Sequence, residues 1–260
     1  MTRFRLAAAD TLVLAERSLM RIPRQPDLLT AFTVQPLMFV LLFAGVFGGA
    51  IATPGFDNYE DFLIPGILVQ SMAFGGFVTA LGLAEDLGKG LIDRFRSLPM
   101  ARSAVLVGRT LADIATNALG LVVILGVGLV IGFSFSSPWY EVILGVVLML
   151  LIGYAFSWVF AWIGLIVSSP ESANAFGFIA IFPLTFASSA FVPPDTMPEW
   201  LQKFATDINP FSTMVDAARA LFVDQPAGND VWGAFAWCFG IVAVFSVLAV
   251  RRYRKVSVSA

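Results

Sequence analysis

The chain has 260 residues, of which 58% are hydrophobic and only 13% are charged, and its mean hydropathy is +0.84. This composition lies outside the usual range of soluble globular domains and is typical of membrane proteins. Because the sequence contains no histidine and a single cysteine, it excludes a histidine general base, a histidine zinc ligand and an intramolecular disulfide.

Residues 1–28 precede the first long apolar run and predict an interfacial helix on the cytoplasmic side. Asp10 and Glu16 interrupt the segment, so it does not have the apolar core of a cleavable signal peptide. Leu12, Ala15, Leu19 and Ile22 recur at helical spacing, and Arg17, Arg21 and Arg24 lie among them. Pro23 and Pro26 end this pattern. A basic tail without fixed structure is the alternative.

Six apolar runs are each long enough to cross a hydrocarbon core of about 30 Å as a helix. We therefore predict an all-α integral membrane protein, with residues 29–250 forming a domain of six transmembrane helices. A β-barrel would instead require short segments of alternating polarity. The predicted spans are 29–52, 62–83, 104–133, 142–167, 173–192 and 231–250.

The basic residues predict how these spans are oriented. Of the 16 Lys and Arg residues, all except Lys203 and Arg219 lie before the first span, in or beside the loop after the second, or in the tail 251–260. The positive-inside rule therefore places both termini and the second loop in the cytoplasm.

The second loop contains a charged island, Glu85 to Arg102, between two apolar runs. Its residues 86–98 predict a short amphipathic helix, with Leu91 and Phe95 on one face and Asp93 on the other. Pro99 ends the helix. Such an element can lie on the bilayer surface or project as a binding surface for a soluble partner.

The third span begins with two charged residues, Arg109 and Asp113. They are four residues apart on one helical face and are therefore predicted to form an ion pair. Charges at membrane depth cost about 2.5–3.5 kcal/mol on insertion scales, so they tend to mark functional groups or buried pairs. We favour a structural or coupling pair over a proton relay, which would need several titratable groups.

Phenylalanines recur every fourth residue along the fifth span, and this row is the predicted face for a lipophilic substrate. A packing role is the more common explanation of such a row. Gln70 in the second span either bonds a neighbouring helix or lines the same path. The predicted substrate path consists of Gln70, Phe74, Phe77, Phe178, Phe182, Thr185, Phe186 and Ser189.

The segment 193–228 lies on the outer side and predicts two short amphipathic helices separated at Asn209-Pro210. Two such helices suit a re-entrant or capping element. Backbone that is broken at membrane depth has to be buried in protein or line a water-filled cavity.

No catalytic or nucleotide-binding motif accompanies these features. A phosphate-binding loop has the pattern GxxxxGK followed by Ser or Thr. The sequence does not match it, because Gly88-Lys89 is followed by Gly90 and the first position of the pattern, 83, is leucine. A Ser-His-Asp set is impossible without histidine, and no metal-ligand cluster appears in the sequence. The basic residues lie where the positive-inside rule requires them, so they give no separate reason to predict nucleic-acid binding.

The island and the outer segment together resemble the permeases of type-2 ABC exporters, in particular the daunorubicin-resistance-like branch. The resemblance rests on Gly90, Asp93-Arg94, Arg96-Ser97-Leu98-Pro99, Gly108-Arg109 and Asp113, and on DTMPEWLQ, NPF and VDAARAL of the outer segment. These regions, their order and the six-helix layout cover nearly the whole chain.

The resemblance implies a half-transporter in a prokaryotic plasma membrane. A second permease copy or a paralogue would complete the path, and two separate ATPase subunits would bind ATP and magnesium, so this chain would hold no cofactor itself. The implied ATPase-coupling residues are Glu85, Asp86, Leu87, Gly90, Leu91, Asp93, Arg94, Phe95, Arg96, Ser97, Leu98 and Pro99. The implied outer gate consists of Trp200, Asn209, Pro210 and Arg219.

The absence of a fixed charge along the predicted path favours a hydrophobic or amphipathic cargo such as a drug, polyketide or lipid. Two other classes remain open from the residues alone. A proton-coupled secondary transporter would be expected to show related halves and acidic residues at the midplane. A membrane scaffold subunit would transport nothing.

Overall fold

A computed structural model describes residues 26–47, 53, 55–56, 58–89, 104–226 and 228–255, and these residues form helices and connecting turns. The all-helical prediction is thereby confirmed. The longer helices are α1 (Pro26–Leu42, continued by a π-helical turn Phe43–Phe47), α2 (Tyr59–Phe74), α3 (Phe77–Gly88), α4 (Ala104–Ile131), α5 (Trp139–Ile166), α6 (Pro170–Phe186), α8 (Pro210–Val223) and α9 (Asp230–Lys255), and the short α7 (Glu199–Lys203) lies between α6 and α8.

Four helical stretches within the described residues are long and apolar enough to cross a membrane. They are Tyr59–Gly88, Val105–Ile131, Trp139–Ile166 and Asp230–Lys255. A shorter apolar helix occupies Val34–Val46, and α6 has 17 residues. At a rise of 1.5 Å per residue, α6 reaches about 25 Å, slightly less than the hydrocarbon core.

The helix α5 lies at the centre of the bundle, where it packs against α2, α3, α4, α6, α8 and α9. Glycine allows the closest of these approaches. A Cβ atom at Gly164 would lie 2.5 Å from the carbonyl oxygen of Ala80 in α3, so the two helix backbones touch there. The part of α5 from Leu148 to Leu165 is mostly buried in the bundle, whereas Trp139, Ile143 and Val147 are exposed. Apolar residues suit both parts of a helix that crosses a membrane, because lipid is as apolar as the protein interior.

The second predicted span lies within one helical stretch, Tyr59–Gly88, that a turn divides into two helices. The helix α2 ends at Phe74, a turn follows at Gly75 and Gly76, and α3 begins at Phe77. Both glycines keep φ and ψ in the right-handed region, so the chain continues in nearly the same direction. The break coincides with the crowding of α4 and α5 against these two residues, because Cβ atoms there would meet Asn117 and Ser157.

Two predicted segments lie largely outside the described residues. They are the interfacial helix over residues 1–28 and the part of the island from Gly90 to Arg102. The predicted basic tail begins inside α9, which continues through Arg251 to Lys255. Residues 256–260 lie outside the description.

Candidate functional site

The polar features that the described residues place inside this apolar bundle include an inner cluster, a central pocket and an outer cluster. The inner cluster consists of Thr79 and Asp86 of α3 with Arg109 and Asp113 of α4. Arg109 donates through Nη2 to Asp86 Oδ2 at 2.7 Å, and Thr79 donates to Asp113 Oδ2 at 2.7 Å. Since Asp86, Asp113 and Thr79 are all at most 5% exposed, these contacts fasten α3 to α4 in the interior.

The predicted ion pair of Arg109 with Asp113 stays a prediction. Both residues belong to α4, and Arg109 also reaches across to Asp86 on the neighbouring helix. The glycine at position 82 makes room for this crossing, because a Cβ atom there would lie 2.9 Å from Nη1 of Arg109. Asp113 is satisfied by the hydroxyl of Thr79.

The same contact revises part of the predicted ATPase-coupling surface. The sequence predicts a separate helix from residue 86, whereas α3 continues to Gly88 and includes Glu85, Asp86 and Leu87. Asp86 is 5% exposed and faces Arg109, so it belongs to the interior. Glu85 pairs with Lys89 at the exposed end of α3. The remaining predicted coupling residues, Gly90 to Pro99, lie outside the described part of the chain.

The central pocket opens between α1, α2 and α4 and has an empty volume of about 660 Å³, including the part open to the outside. Its apolar wall includes Phe39 and Met72. Five polar side chains share the lining: Gln35, Gln70, Ser71, Thr116 and Asn117. Among its lining residues none is charged. The chemistry it offers is therefore hydrogen bonding to a neutral group inside an apolar surround.

Sequence reasoning missed Asn117, the most buried polar residue of this pocket, and it also passed over Gln35. Asn117 lies near the middle of α4 and is 3% exposed. An amide in the centre of an apolar helix is a readable signal, since polar side chains there normally bond to a neighbouring helix.

The predicted aromatic face exists as a continuous group of rings. Phe74 and Phe77 stack with centroids 5.5 Å apart, and both lie close to Phe178 of α6, at 5.6 and 5.2 Å. From Phe178 the row continues along α6 to Phe182 and then Phe186. These three rings are 37–38% exposed, so α6 presents them at the surface of the bundle.

Other residues of the predicted path are interior. Phe77 is 2% exposed and packs against Phe160 of α5 at 4.4 Å. Gln70 donates through Nε2 to Thr185 Oγ1 at 3.4 Å, which joins α2 to α6. Ser189 is 1% exposed and belongs to the outer cluster described next.

Arg219 of α8 is the centre of the outer cluster and is 4% exposed. It pairs with Asp216 at 2.9 Å and donates to the carbonyl oxygens of Phe62 and Ser189 at 2.8–3.1 Å. Its guanidinium carbon lies 3.7 Å from the centroid of the Phe62 ring. Burial lowers the pKa of Arg219 to about 10, with Asp216 acting against the shift, so the side chain stays charged at neutral pH.

Asn209 fastens the beginning of α8 to the end of α6. Its Nδ2 donates to the carbonyl oxygens of Leu184 and Ala187 at 2.8 and 2.9 Å, while its Oδ1 accepts from the Phe211 amide at 3.0 Å. Pro210 occupies the first helical position of α8, where no amide hydrogen is required. Of the predicted outer gate, Trp200 stands apart, since it is 72% exposed on α7.

The outer cluster therefore ties α8 to the outer ends of α2 and α6, and the inner cluster ties α3 to α4. The break at Gly75 and Gly76 lies between the two, with the central pocket beside it. Among the described residues no group of three or more His, Cys, Asp or Glu side chains is arranged to hold a metal ion.

Comparison with known proteins adds independent information. Residues 9–223 match the family model described as ABC-2 type transporter. The chain is similar to the daunorubicin resistance ABC transporter permease protein DrrB1 of Streptomyces coeruleorubidus, with 34% identity over 96% of this chain and 87% of that protein. It is also similar to the probable doxorubicin resistance ABC transporter permease protein DrrC of Mycobacterium tuberculosis, with 25% identity over 97% of this chain and 91% of that protein.

Proposed function

The chain belongs to the ABC-2 type transporter family, and from this premise we propose that it is the transmembrane permease subunit of an ATP-driven exporter. The observation that carries the proposal is the extent of the family match. The match spans residues 9–223 and so includes the inner cluster, the central pocket and the outer segment as far as Val223. ATP hydrolysis belongs to a separate subunit, and this chain is not an enzyme.

The substrate is a hydrophobic or amphipathic molecule such as a drug, polyketide or lipid. The exposed rings of Phe178, Phe182 and Phe186 offer an aromatic surface, and the neighbouring pocket offers uncharged hydrogen-bonding groups. Apolar surfaces with a few polar groups are typical of sites for drug-sized ligands. The names of the two relatives, which refer to daunorubicin and doxorubicin resistance, agree with this class.

The working assembly contains two permease copies, or one copy with a paralogue, and two ATPase subunits on the cytoplasmic side. In this proposal the chain has six spans, with α1 and α6 as the two shorter ones, and the positive-inside rule supports a cytoplasmic location of both termini and the island in a prokaryotic cell. The ATPase binds the island between Gly90 and Pro99, and ATP and magnesium are held by the ATPase.

The inner cluster supports a mechanical role for this island. The helices on either side of it, α3 and α4, are joined by the Asp86–Arg109 pair at 2.7 Å. A push on the island is therefore delivered to both helices together. The outer half, where Arg219 and Asn209 hold α8 against α2 and α6, acts as the gate that this movement opens and closes.

A proton-coupled transporter is not favoured, because both relatives are named as ABC transporter permeases. The choice is tested directly by purifying the chain with its native partners. We expect an ATPase to co-purify and its hydrolysis in lipid nanodiscs to respond to lipophilic compounds. Export that stops with a protonophore at constant ATP, and no ATPase in the purified particle, would contradict the proposal.

The role of the island is tested with Phe95→Asp and with the double variant Arg94→Glu/Arg96→Glu. Both replace residues that the proposal places against the ATPase, so export should fall by about tenfold or more while the chain remains in the membrane. The control is Lys203→Glu on the outer side. Full export by the island variants, with the ATPase still bound, would remove the island from the mechanism.

A further inference from the structure

We propose that the central pocket is a ligand site, centred on Asn117, for the hydroxyl group of a neutral amphipathic molecule. The site combines a cavity between α1, α2 and α4 with a buried amide whose Nδ2 has no hydrogen-bond partner among the described residues. It deepens the proposed function, on which it rests, by assigning a recognition site to the exported molecule.

The hydrogen bonding of Asn117 is incomplete. Its side chain is 3% exposed, and within the described residues its Nδ2 has no hydrogen-bond partner. Buried polar groups in a membrane interior are normally satisfied by protein, because no bulk water is available there. An amide left incomplete beside a cavity is therefore a group that a bound molecule can complete.

Two glycines make room for the amide itself, so that Oδ1 lies against Gly75 of the pocket wall and Nδ2 lies against Gly153 of α5. A Cβ atom at Gly75 would lie 1.7 Å from Oδ1 of Asn117, and one at Gly153 would lie 2.4 Å from Nδ2. Any larger residue at either position would displace the amide from the pocket wall. The backbone on both sides is thus shaped around Asn117, and Gly75 itself also lines the pocket.

The lining defines the chemistry of the ligand. Gln70 uses its Nε2 on Thr185, which leaves its carbonyl oxygen as a second acceptor in the lining. The amide of Asn117 presents either its oxygen or its nitrogen by rotating through half a turn, and a hydroxyl satisfies both because it donates and accepts. Since none of the lining residues is charged, a neutral hydroxyl on an apolar body is preferred over an ion.

The site adjoins the break in the second predicted span. Gly75 connects α2, which is held by the outer cluster, to α3, which is held by the inner cluster. A ligand bonded to Asn117 contacts all of α1, α2 and α4 at this joint. Occupancy of the pocket is therefore sensed where the two halves of the bundle meet.

The test uses two photoreactive probes that differ by one hydroxyl group, benzophenone and 3-hydroxybenzophenone. Membranes containing the full chain are irradiated with each probe, and adducts are mapped by mass spectrometry. Met72 lines the pocket and is 1% exposed, whereas Met38 is 58% exposed and reports labelling from the lipid phase. We expect the ratio of Met72 to Met38 adducts to be about fivefold higher for 3-hydroxybenzophenone, consistent with one net hydrogen bond.

The variant Asn117→Leu keeps the shape of the side chain and removes both polar atoms, so it should abolish the difference between the probes. Asn174→Leu is the matched control, because Asn174 is exposed at the start of α6. Equal labelling by both probes in the unaltered chain, or a preference that survives Asn117→Leu, would overturn the site.

The labelling readout does not require ATP or an ATPase, so it fails or succeeds independently of the proposed function. Loss of ATP-driven export with intact labelling of Met72 would count against the exporter assignment alone. Labelling confined to Met38, in a particle that still exports, would count against the pocket alone.

Discussion

At the scale of single residues, Arg219 shows how one buried charge can hold several helices. Its guanidinium bonds to backbone carbonyls of α2 and of the turn after α6, and it lies on the Phe62 ring. Burial of an arginine is costly unless all of its donors find partners. Here the partners are mostly backbone oxygens, so the side chain links segments that lie far apart in sequence.

We expect Arg219→Met to destabilise the protein by roughly 3 kcal/mol, because Asp216 and the carbonyl oxygens lose their donors. The midpoint of thermal unfolding in detergent measures the effect. Lys203→Met is the matched control, since Lys203 forms an exposed pair with Glu199 and its loss should change stability by about 0.5 kcal/mol or less. Equal midpoints for the two variants would disprove the anchoring role.

The sequence could identify Arg219 as unusual but not its partners. Only two of the 16 basic residues were predicted on the outer side, so Arg219 stood out on charge alone. Its bonds to Phe62 and Ser189 depend on contacts across 157 and 30 positions, which no local pattern records. For the same reason the sequence did not predict the contact of Arg109 with Asp86, which lies on another helix.

At the scale of elements, the packing of the helices depends on where α5 places its small residues. Gly164 and Gly153 let α3 and α4 come close, and aromatic residues fill the wider gaps. In membranes, close packing of small residues replaces the hydrophobic effect as a source of helix association. The positions of the glycines therefore set the separation of the helices around α5.

We expect Gly164→Ala to cost roughly 2 kcal/mol, because the added methyl group meets the backbone of Ala80 and the helices have to separate. Gly126→Ala in α4 is the control, since no atom lies within 4 Å of its added methyl group. That change should be neutral or stabilising by about 0.5–1 kcal/mol, because alanine favours a helix. The midpoints of thermal unfolding of the two variants measure the difference. An equal loss of stability in both would refute close packing at Gly164.

Helix positions were the most predictable part of the fold. The runs 104–133 and 142–167 match α4 and α5 within three residues at each end, because their length and apolarity are set by the bilayer. The break at Gly75 and Gly76 inside the run 62–83 was not predicted, since both glycines are as apolar as their neighbours. The early end of α6 at Phe186 was also missed, because it depends on Asn209 binding the carbonyls of Leu184 and Ala187.

At the scale of the whole molecule, charge separates the two ends of the bundle. Arg251, Arg252 and Arg254 lie at the end of α9, and Lys89 lies at the end of α3. The opposite end carries Asp195, Glu199 and Asp207 together with Lys203. This distribution supports the proposed orientation, with the island on the cytoplasmic side.

The orientation is tested by single-cysteine labelling of intact cells with a membrane-impermeant maleimide. The native Cys238 is 0% exposed, so background labelling should be low. Lys203→Cys and Lys89→Cys form a matched pair, with native side chains 69% and 60% exposed. We expect labelling at position 203 in intact cells and at position 89 only after permeabilisation. The opposite labelling pattern would show that the island faces outward, which would contradict both the proposed topology and the binding of the ATPase to the island.

The central place of α5 also governs the order in which the protein can assemble. The ribosome delivers α2, α3 and α4 to the bilayer before it has made α5, the helix against which all three pack. Until α5 is inserted, the buried faces of α2, α3 and α4 remain open to lipid or to a chaperone. A nascent chain that stops after α4 therefore lacks the helix that covers these faces, and the packing of its first half is completed only when α5 arrives.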